Sequence, residues 1–249
     1  MINATLEARL GSKRFPNKLF RNLGKITFLQ FQVKRILKSK HLKKLIIATT
    51  KKKQDKKILN LSKKLKIDCY SGESENVLKR IYNIHKKNKT KVLVRLCGDN
   101  PFQDPKMIDD AIKIYLKGKY DIVCYGGPPG IRKIPYGFDI EVLSFDLLAL
   151  AFKKARKKIH LEHPTKYLYD KEKNLKINYL RPKNKKFFEP KMTFALDYPD
   201  QEKFLNSVLL AVKDKNASYK KIITTVKRTK KLNHMAKILT KKYVLKRKF

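Results

Sequence analysis

Short apolar runs rich in β-branched residues recur along the chain, separated by stretches in which apolar residues return at a helical period. That alternation predicts a mostly parallel sheet covered by helices. The strands fall at Ile2–Leu6, Leu45–Thr49, Val92–Leu96 and Asp121–Tyr125, with later ones near Asp139–Leu143, Leu175–Leu180 and Met192–Leu196. Ile108, Ala111, Ile112 and Tyr115 stand at i, i+3, i+4 and i+7, which places a helix with one buried stripe after Pro105. Phe204, Val208 and Val212 repeat the signal. Gly126-Gly127-Pro128-Pro129-Gly130 continues neither kind of element and reads as a loop near the sheet edge, where such loops often border a site. The expected class is therefore α/β, a three-layer domain with a mostly parallel central sheet. The chain is expected to divide into a main domain over 1–213 and a basic helical extension over 214–249, packed on that domain. The extension carries nothing that can be assigned chemically.

Composition narrows the partners. With 249 residues, 42% of them hydrophobic, the chain is long enough for one large core. No apolar run approaches the roughly 18 residues of a membrane span, and the start lacks the pattern of a signal peptide. A cytoplasmic protein without membrane insertion is expected. Cys69, Cys97 and Cys124 lack CxxC spacing, so they read as small buried residues and not as zinc ligands or a disulfide framework. The 62 Lys+Arg against 21 Asp+Glu give a net charge of +41, which attracts polyanions. Yet the excess is mostly lysine spread over the predicted helices, as in Lys34, Lys38, Lys40, Lys43 and Lys44. No zinc-finger spacing or RNP-like aromatic motif accompanies it, so a solvated lysine surface is expected and no specific nucleic-acid partner.

Candidate chemistry lies where strands end. Ala8 to Lys18, directly after the first strand, places Arg9, Arg14 and Lys18 around Gly11 and Ser12. Cations, backbone N–H groups and a hydroxyl can wrap a triphosphate, with Gly11 allowing close backbone approach. The spacing is not that of a Walker A loop, and the plain alternative is a basic surface loop in a basic protein. Asp99 follows the strand Val92–Leu96, at the carboxyl end where open α/β sheets bind ligands and where a hard cation needs oxygen. Its alternative role is capping the turn before Pro101. Asp197 follows Met192–Leu196 in the same manner, and the two acids could share one Mg²⁺. Alternatively, Asp200 caps the next helix and Asp197 is merely its neighbour.

These segments come in a telling order: Glu7 to Lys18, Ile47-Ala48-Thr49-Thr50, Ser71-Gly72-Glu73 with Val77-Leu78-Lys79-Arg80, Arg95 to Pro101, Tyr136 to Glu141, Glu162-His163 and Leu196-Asp197. Together they resemble the cytidylyltransferase family, in its branch of CMP-sugar synthetase-like proteins similar to the spore-coat polysaccharide protein SpsF. The resemblance runs from the first strand to about Asp200. It implies a GT-A-like, Rossmann-like fold and Mg²⁺-dependent attack of a sugar oxygen on the α-phosphate of CTP, releasing pyrophosphate. By motif, Arg9, Ser12, Arg14 and Lys18 would hold the triphosphate, and Asp99 and Asp197 would ligate Mg²⁺. Gly11, Ala48, Thr49 and Arg80 would lie near the nucleotide, and Asp139, Glu141 and His163 would face the sugar. The partners implied are CTP and a sugar, most naturally a nonulosonic or related acid for a surface polysaccharide. The oligomeric state stays open, a homodimer being one option.

The sequence also departs from the family. Phe15 stands where leucine is usual, Asn17 where glycine is frequent, and Arg95-Leu96-Cys97 where branches acting on sialic or Kdo-type acids commonly carry a glutamine before their GDxP motif. Two other readings compete. Asp139 and Glu141 form a D-x-E pattern, as in a metal-dependent glycosyltransferase, although that leaves the loop at 9–18 without a purpose. The +41 charge alone would suit a nucleic-acid-binding protein. His160 and His163 have the i, i+3 spacing of a metal pair but no third ligand, so His163 is expected to line the sugar site or satisfy a helix end.

Overall fold

The strand predicted first, β1 (Ile2–Glu7), is buried along its middle, Asn3 to Thr5 and Leu6 included, because it lies at the centre of the sheet. In the computed structural model, which describes residues 1–245, a short ribbon of β2 (Asn22–Leu23) and β3 (Ile26–Thr27) leads into α1 (Phe28–Ile36). Then come β4 (Lys44–Thr50), α2 (Lys56–Lys64), β5 (Asp68–Gly72), α3 (Val77–Lys87), β6 (Val92–Cys97) and α4 (Pro105–Tyr115). The second half runs through β7 (Ile122–Tyr125), β8 (Ile140–Ser144), α5 (Phe145–Lys154), α6 (Lys158–Glu162), α7 (Lys166–Lys171) and β9 (Ile177–Leu180). It closes with α8 (Pro199–Val212), α9 (Tyr219–Arg228) and α10 (Lys230–Leu239).

Seven strands form one sheet in the order β5-β4-β1-β6-β8-β7-β9. Every pairing is parallel except those of β8, which runs against both β6 and β7. This reversal positions the site: the residues that begin β8 lie at the same edge as the carboxyl ends of its neighbours. Successive strand residues feed opposite faces, as the two-residue period requires. Val94, Val123 and Val142 enter one core with α1, α4 and α8, while Leu93, Ile122, Cys124 and Leu143 enter another with α3 and α5. The result is the expected three-layer α/β arrangement.

The predicted strands reappear with small shifts at their ends, Met192–Leu196 excepted. That segment is extended, but it makes only an isolated bridge from Thr193 to Tyr136, and Leu196 N–H donates to Asp99 O at 2.8 Å. Its apolar residues crowd the core, with Phe194 and Leu196 fully buried, as the chain crosses the strand ends without joining the ladder. Conversely, β5 carries Asp68, Tyr70 and Ser71 and is not apolar enough to be seen in the pattern, yet it pairs along β4. Asp104 caps α4 by accepting from Lys106 N–H, and its other oxygen accepts from Tyr219 N–H at 2.7 Å, tying the start of α9 to the start of α4. Tyr219, Ile222, Val226, Leu232 and Leu239 share the core of β1 and β6. No helix among the described residues is long and apolar enough to cross a membrane.

Candidate active site

The loop after β1 is pinned from below. Leu10 N–H donates to Asp55 Oδ1 at 2.7 Å, and the same carboxylate takes the Thr50 hydroxyl. Ala8 N–H bonds Ala48 O at 3.1 Å, and Leu10 and Phe15 are buried in the core. Ala48 and Thr49 are fully buried and seat this loop. Ser12 accepts from Phe15 N–H at 3.3 Å, and a Cβ on Gly11 would stand 2.7 Å from the Gln54 amide nitrogen. Asn17 has φ 55°, the left-handed region where glycine is favoured and asparagine is among the better-tolerated side chains. The chain there enters the short helical turn that directs Lys18 inward.

Lys18, Asp99 and Asp197 converge at the strand edge. Lys18 Nζ lies 3.0 Å from Asp197 Oδ1 and 3.6 Å from Asp99 Oδ2. Arg14 reaches the same Asp197 oxygen at 3.0 Å and lies 5.2 Å over the Tyr198 ring. Asp197 and Lys18 are buried, whereas the Asp99 side chain keeps 33% of its surface open. Burial raises the Asp99 carboxyl, Lys18 opposes the rise, and the negative charges of Asp197 and Asp139 add to it. Gln201 Oε1 accepts from the N–H groups of Asp197 and Tyr198 at 2.6 and 3.0 Å, fixing the Asp197 backbone at the start of α8. Gly98 is needed here, since a Cβ on it would stand 2.5 Å from Glu7 O.

Two carboxylates within reach of one ammonium form a donor set that fits Mg²⁺, which commonly takes one or two carboxylates and fills its remaining positions with water and substrate phosphate. Among the described residues no group of three or more His, Cys, Asp or Glu side chains is arranged to hold a metal.

Beside this edge opens a cleft of about 760 Å³, within the usual range for a small-molecule site. Asp139, Glu141 and His163 all line it, together with Arg95, Arg132 and Tyr179. Arg132 donates to Asp139 Oδ1, and Gly137 N–H to Asp139 Oδ2 at 3.2 Å. Glu141 takes Arg95 at 2.7 Å, Tyr169 O–H at 2.8 Å and the Thr165 hydroxyl at 3.0 Å. Both acids are therefore engaged by protein donors, and the D-x-E pair does not present itself as a metal site. His160 likewise turns away, to Asp170 at 3.0 Å, while burial and Arg95 lower the His163 imidazole and Glu162 opposes them.

Arg9 pairs with Glu162 at 3.6 Å. Arg80 is buried, donates to Glu73 O and leaves its Nε unpartnered; burial lowers it, Glu7 opposes, and Arg9 adds to the lowering. The chemistry-bearing residues to which the sequence assigned no role are Glu7, Arg95 and Arg132. Arg95 pairs with Glu7 at 2.5 Å as well as with Glu141, joining β1, β6 and β8. One signal was present: an arginine inside the apolar run Val92 to Cys97 needs buried acidic partners.

Residues 4–242 match the cytidylyltransferase family model. An uncharacterized protein of Methanocaldococcus jannaschii is 37% identical over 181 residues, covering 73% of this chain and 72% of that protein. The spore coat polysaccharide biosynthesis protein SpsF of Bacillus subtilis is 29% identical over 77% of this chain and 79% of its own. Among solved structures, a cytidylyltransferase from Leptospira borgpetersenii superposes with a TM-score of 0.86 at 23% identity, covering 94% of this chain and 96% of its own. The chain belongs to the cytidylyltransferase family, and is a nucleotidyltransferase.

Proposed function

We propose that the protein transfers the cytidylyl group of CTP to a sugar hydroxyl with the help of Mg²⁺, releasing pyrophosphate. The observation that carries the reading is the meeting of Arg14 and Lys18 with Asp99 and Asp197 at a strand edge where Asp99 also senses the charge of Asp139, which lines the cleft with Glu141 and His163. The sugar oxygen attacks the α-phosphorus and gives up its hydroxyl proton to solvent, the bond to the bridging oxygen of the β-phosphate breaks, and pyrophosphate leaves with its electron pair. Such chemistry depends chiefly on positioning and on neutralising charge. Arg9, Arg14 and Lys18 bind the triphosphate, with Gly11 and Ser12 offering backbone and hydroxyl donors. Asp99 and Asp197 would hold Mg²⁺, which supplies positive charge against phosphate oxygens. Arg80 and the Ala48-Thr49 strand end support the nucleotide side of the site.

On the sugar side, Asp139 and Glu141 orient hydroxyls and His163 presents its imidazole. A nonulosonic or related sugar acid, destined for a surface polysaccharide, is the class proposed. Lys166, half exposed in the cleft, gives its carboxylate a cationic neighbour, and the reaction is placed in the cytoplasm, where CTP is available.

The test is pyrophosphate release from CTP, UTP, ATP and GTP with Mg²⁺ and a panel of sugar acids and neutral sugars. Release that requires both CTP and a sugar acid is expected. Release that is independent of sugar, or a nucleoside diphosphate freed from a nucleotide sugar instead, would overturn the reading.

A further inference from the structure

The C-terminal helices carried no chemistry in the sequence, yet their end is fastened beside the phosphate loop. Beyond α10 the chain forms a π-helical turn over Thr240–Val244. The Tyr243 ring lies on Tyr198, centroid to centroid 4.0 Å with 11° between planes. Tyr243 O–H donates to Asp200, 2.8 to 2.9 Å from its two carboxylate oxygens, and Lys242 Nζ meets the same carboxylate at 2.9 Å. Thr240 O–H donates to Lys191 O at 2.9 Å. The turn is thus fastened both before and after Asp197.

Arg14 is the other neighbour of Tyr198, its guanidinium carbon 5.2 Å from the ring centroid. Rings 4.0 Å apart leave no room for a guanidinium between them, so Arg14 meets Tyr198 from outside the stack. Its side chain is 54% exposed, and it is restrained by Asp197 and by Tyr198, through both the ring and a side-chain hydrogen bond. A long exposed arginine loses rotamer freedom when it grips a phosphate, and a fixed aromatic face beside it lowers that loss.

We propose that Tyr243 is a positioning residue for Arg14: stacked on Tyr198, it holds that ring as the surface against which Arg14 is aimed at the triphosphate. The proposal rests on the reading of Arg14 as a triphosphate ligand. It also gives the C-terminal extension a purpose in the reaction.

Calorimetric titration of CTP with Mg²⁺ into the full chain tests it through a double-mutant cycle of Tyr243→Ala and Arg14→Ala. Tyr243→Ala is expected to weaken CTP binding about three- to tenfold. It is expected to raise the KM for CTP similarly, with kcat within about twofold of wild type. In the Arg14→Ala background the same substitution is expected to have no further effect, because the pair acts as one. Tyr243→Phe, which keeps the ring and loses the bond to Asp200, restores most of the affinity. Additive effects in the cycle, or unchanged CTP affinity in Tyr243→Ala, overturn the proposal while leaving the cytidylyltransferase reading standing. A wild-type protein that binds no CTP overturns both. Thermal melts accompany each variant; if Tyr243→Ala melts early, the Tyr243→Phe and Tyr243→Leu pair decides, since only the former keeps an aromatic stack.

Discussion

Asp99 and Asp197 are both carboxylates at one strand edge, but their surroundings give them different duties. Asp197 is buried against Lys18 and Arg14, so removing its charge strands two cations, whereas Asp99 keeps a third of its side chain open and has Lys18 at 3.6 Å. Asp99→Asn is therefore expected to cut turnover by about a hundredfold or more, with a melting temperature near wild type. Unimpaired pyrophosphate release in that variant would remove Asp99 from the mechanism. A second residue contributes to the response to pH. His85 on α3 is buried, with Nδ1 3.2 Å from Thr90 Oγ1 and Nε2 unpartnered, and burial pushes its imidazole down to about 4. Its folded value lies below that of the unfolded chain, so the unfolded state binds the proton first and stability falls as pH drops from about 6.5 toward 4. The loss attributable to His85 is about 2 kcal/mol by pH 5. Denaturant unfolding of His85→Gln beside wild type from pH 7 to 5 checks this, the variant being expected to show the flatter dependence. Neither the exposure of Asp99 nor the isolation of His85 is written in the residues around them; both follow from what packs overhead.

Among elements, β8 has the largest consequence for the site. Had it run parallel to its neighbours, Asp139 and Glu141 would lie at the opposite edge of the sheet from Asp99. Because it is reversed, Glu141 stands opposite Arg95 in register, and Arg95 also takes Glu7, so a single guanidinium ties β1, β6 and β8 together. Arg95→Leu leaves two largely buried carboxylates without their cation and is expected to cost about 3–5 kcal/mol. A denaturant midpoint close to wild type would show that the pair is replaceable. The alternation of apolar runs and helical periods located most strands and the helix after Pro105, since burial on both faces demands those patterns. It misplaced Met192–Leu196, where Phe194 and Leu196 are apolar because they fill the core beneath the strand ends, and it passed over β5, whose polar residues suit a sheet edge. A run of apolar residues reports burial, and burial does not by itself require a ladder of hydrogen bonds.

At the scale of the whole molecule, a chain with only 21 acidic residues against 62 basic ones places Glu7, Asp99, Asp139, Glu141 and Asp197 at one sheet edge. The lysines elsewhere supply positive charge that attracts polyanions. Duplex DNA is expected to bind at low salt without sequence preference and to lose about a thousandfold in affinity between 50 and 200 mM salt. Fluorescence anisotropy across that range checks it, and binding that withstands the salt with a preference for one sequence would reopen a nucleic-acid function. The residue order from Glu7 to Asp197 was enough to establish the α/β class, the family and the nature of the charged groups, because strand periodicity and motif spacing are local properties of the chain. Which groups meet was decided only by tertiary structure. The reversal of β8, the engagement of Asp139 by Arg132, the pairing of Arg9 with Glu162 and the stacking of Tyr243 on Tyr198 all join residues distant in sequence or turn on side-chain direction, and packing alone sets these.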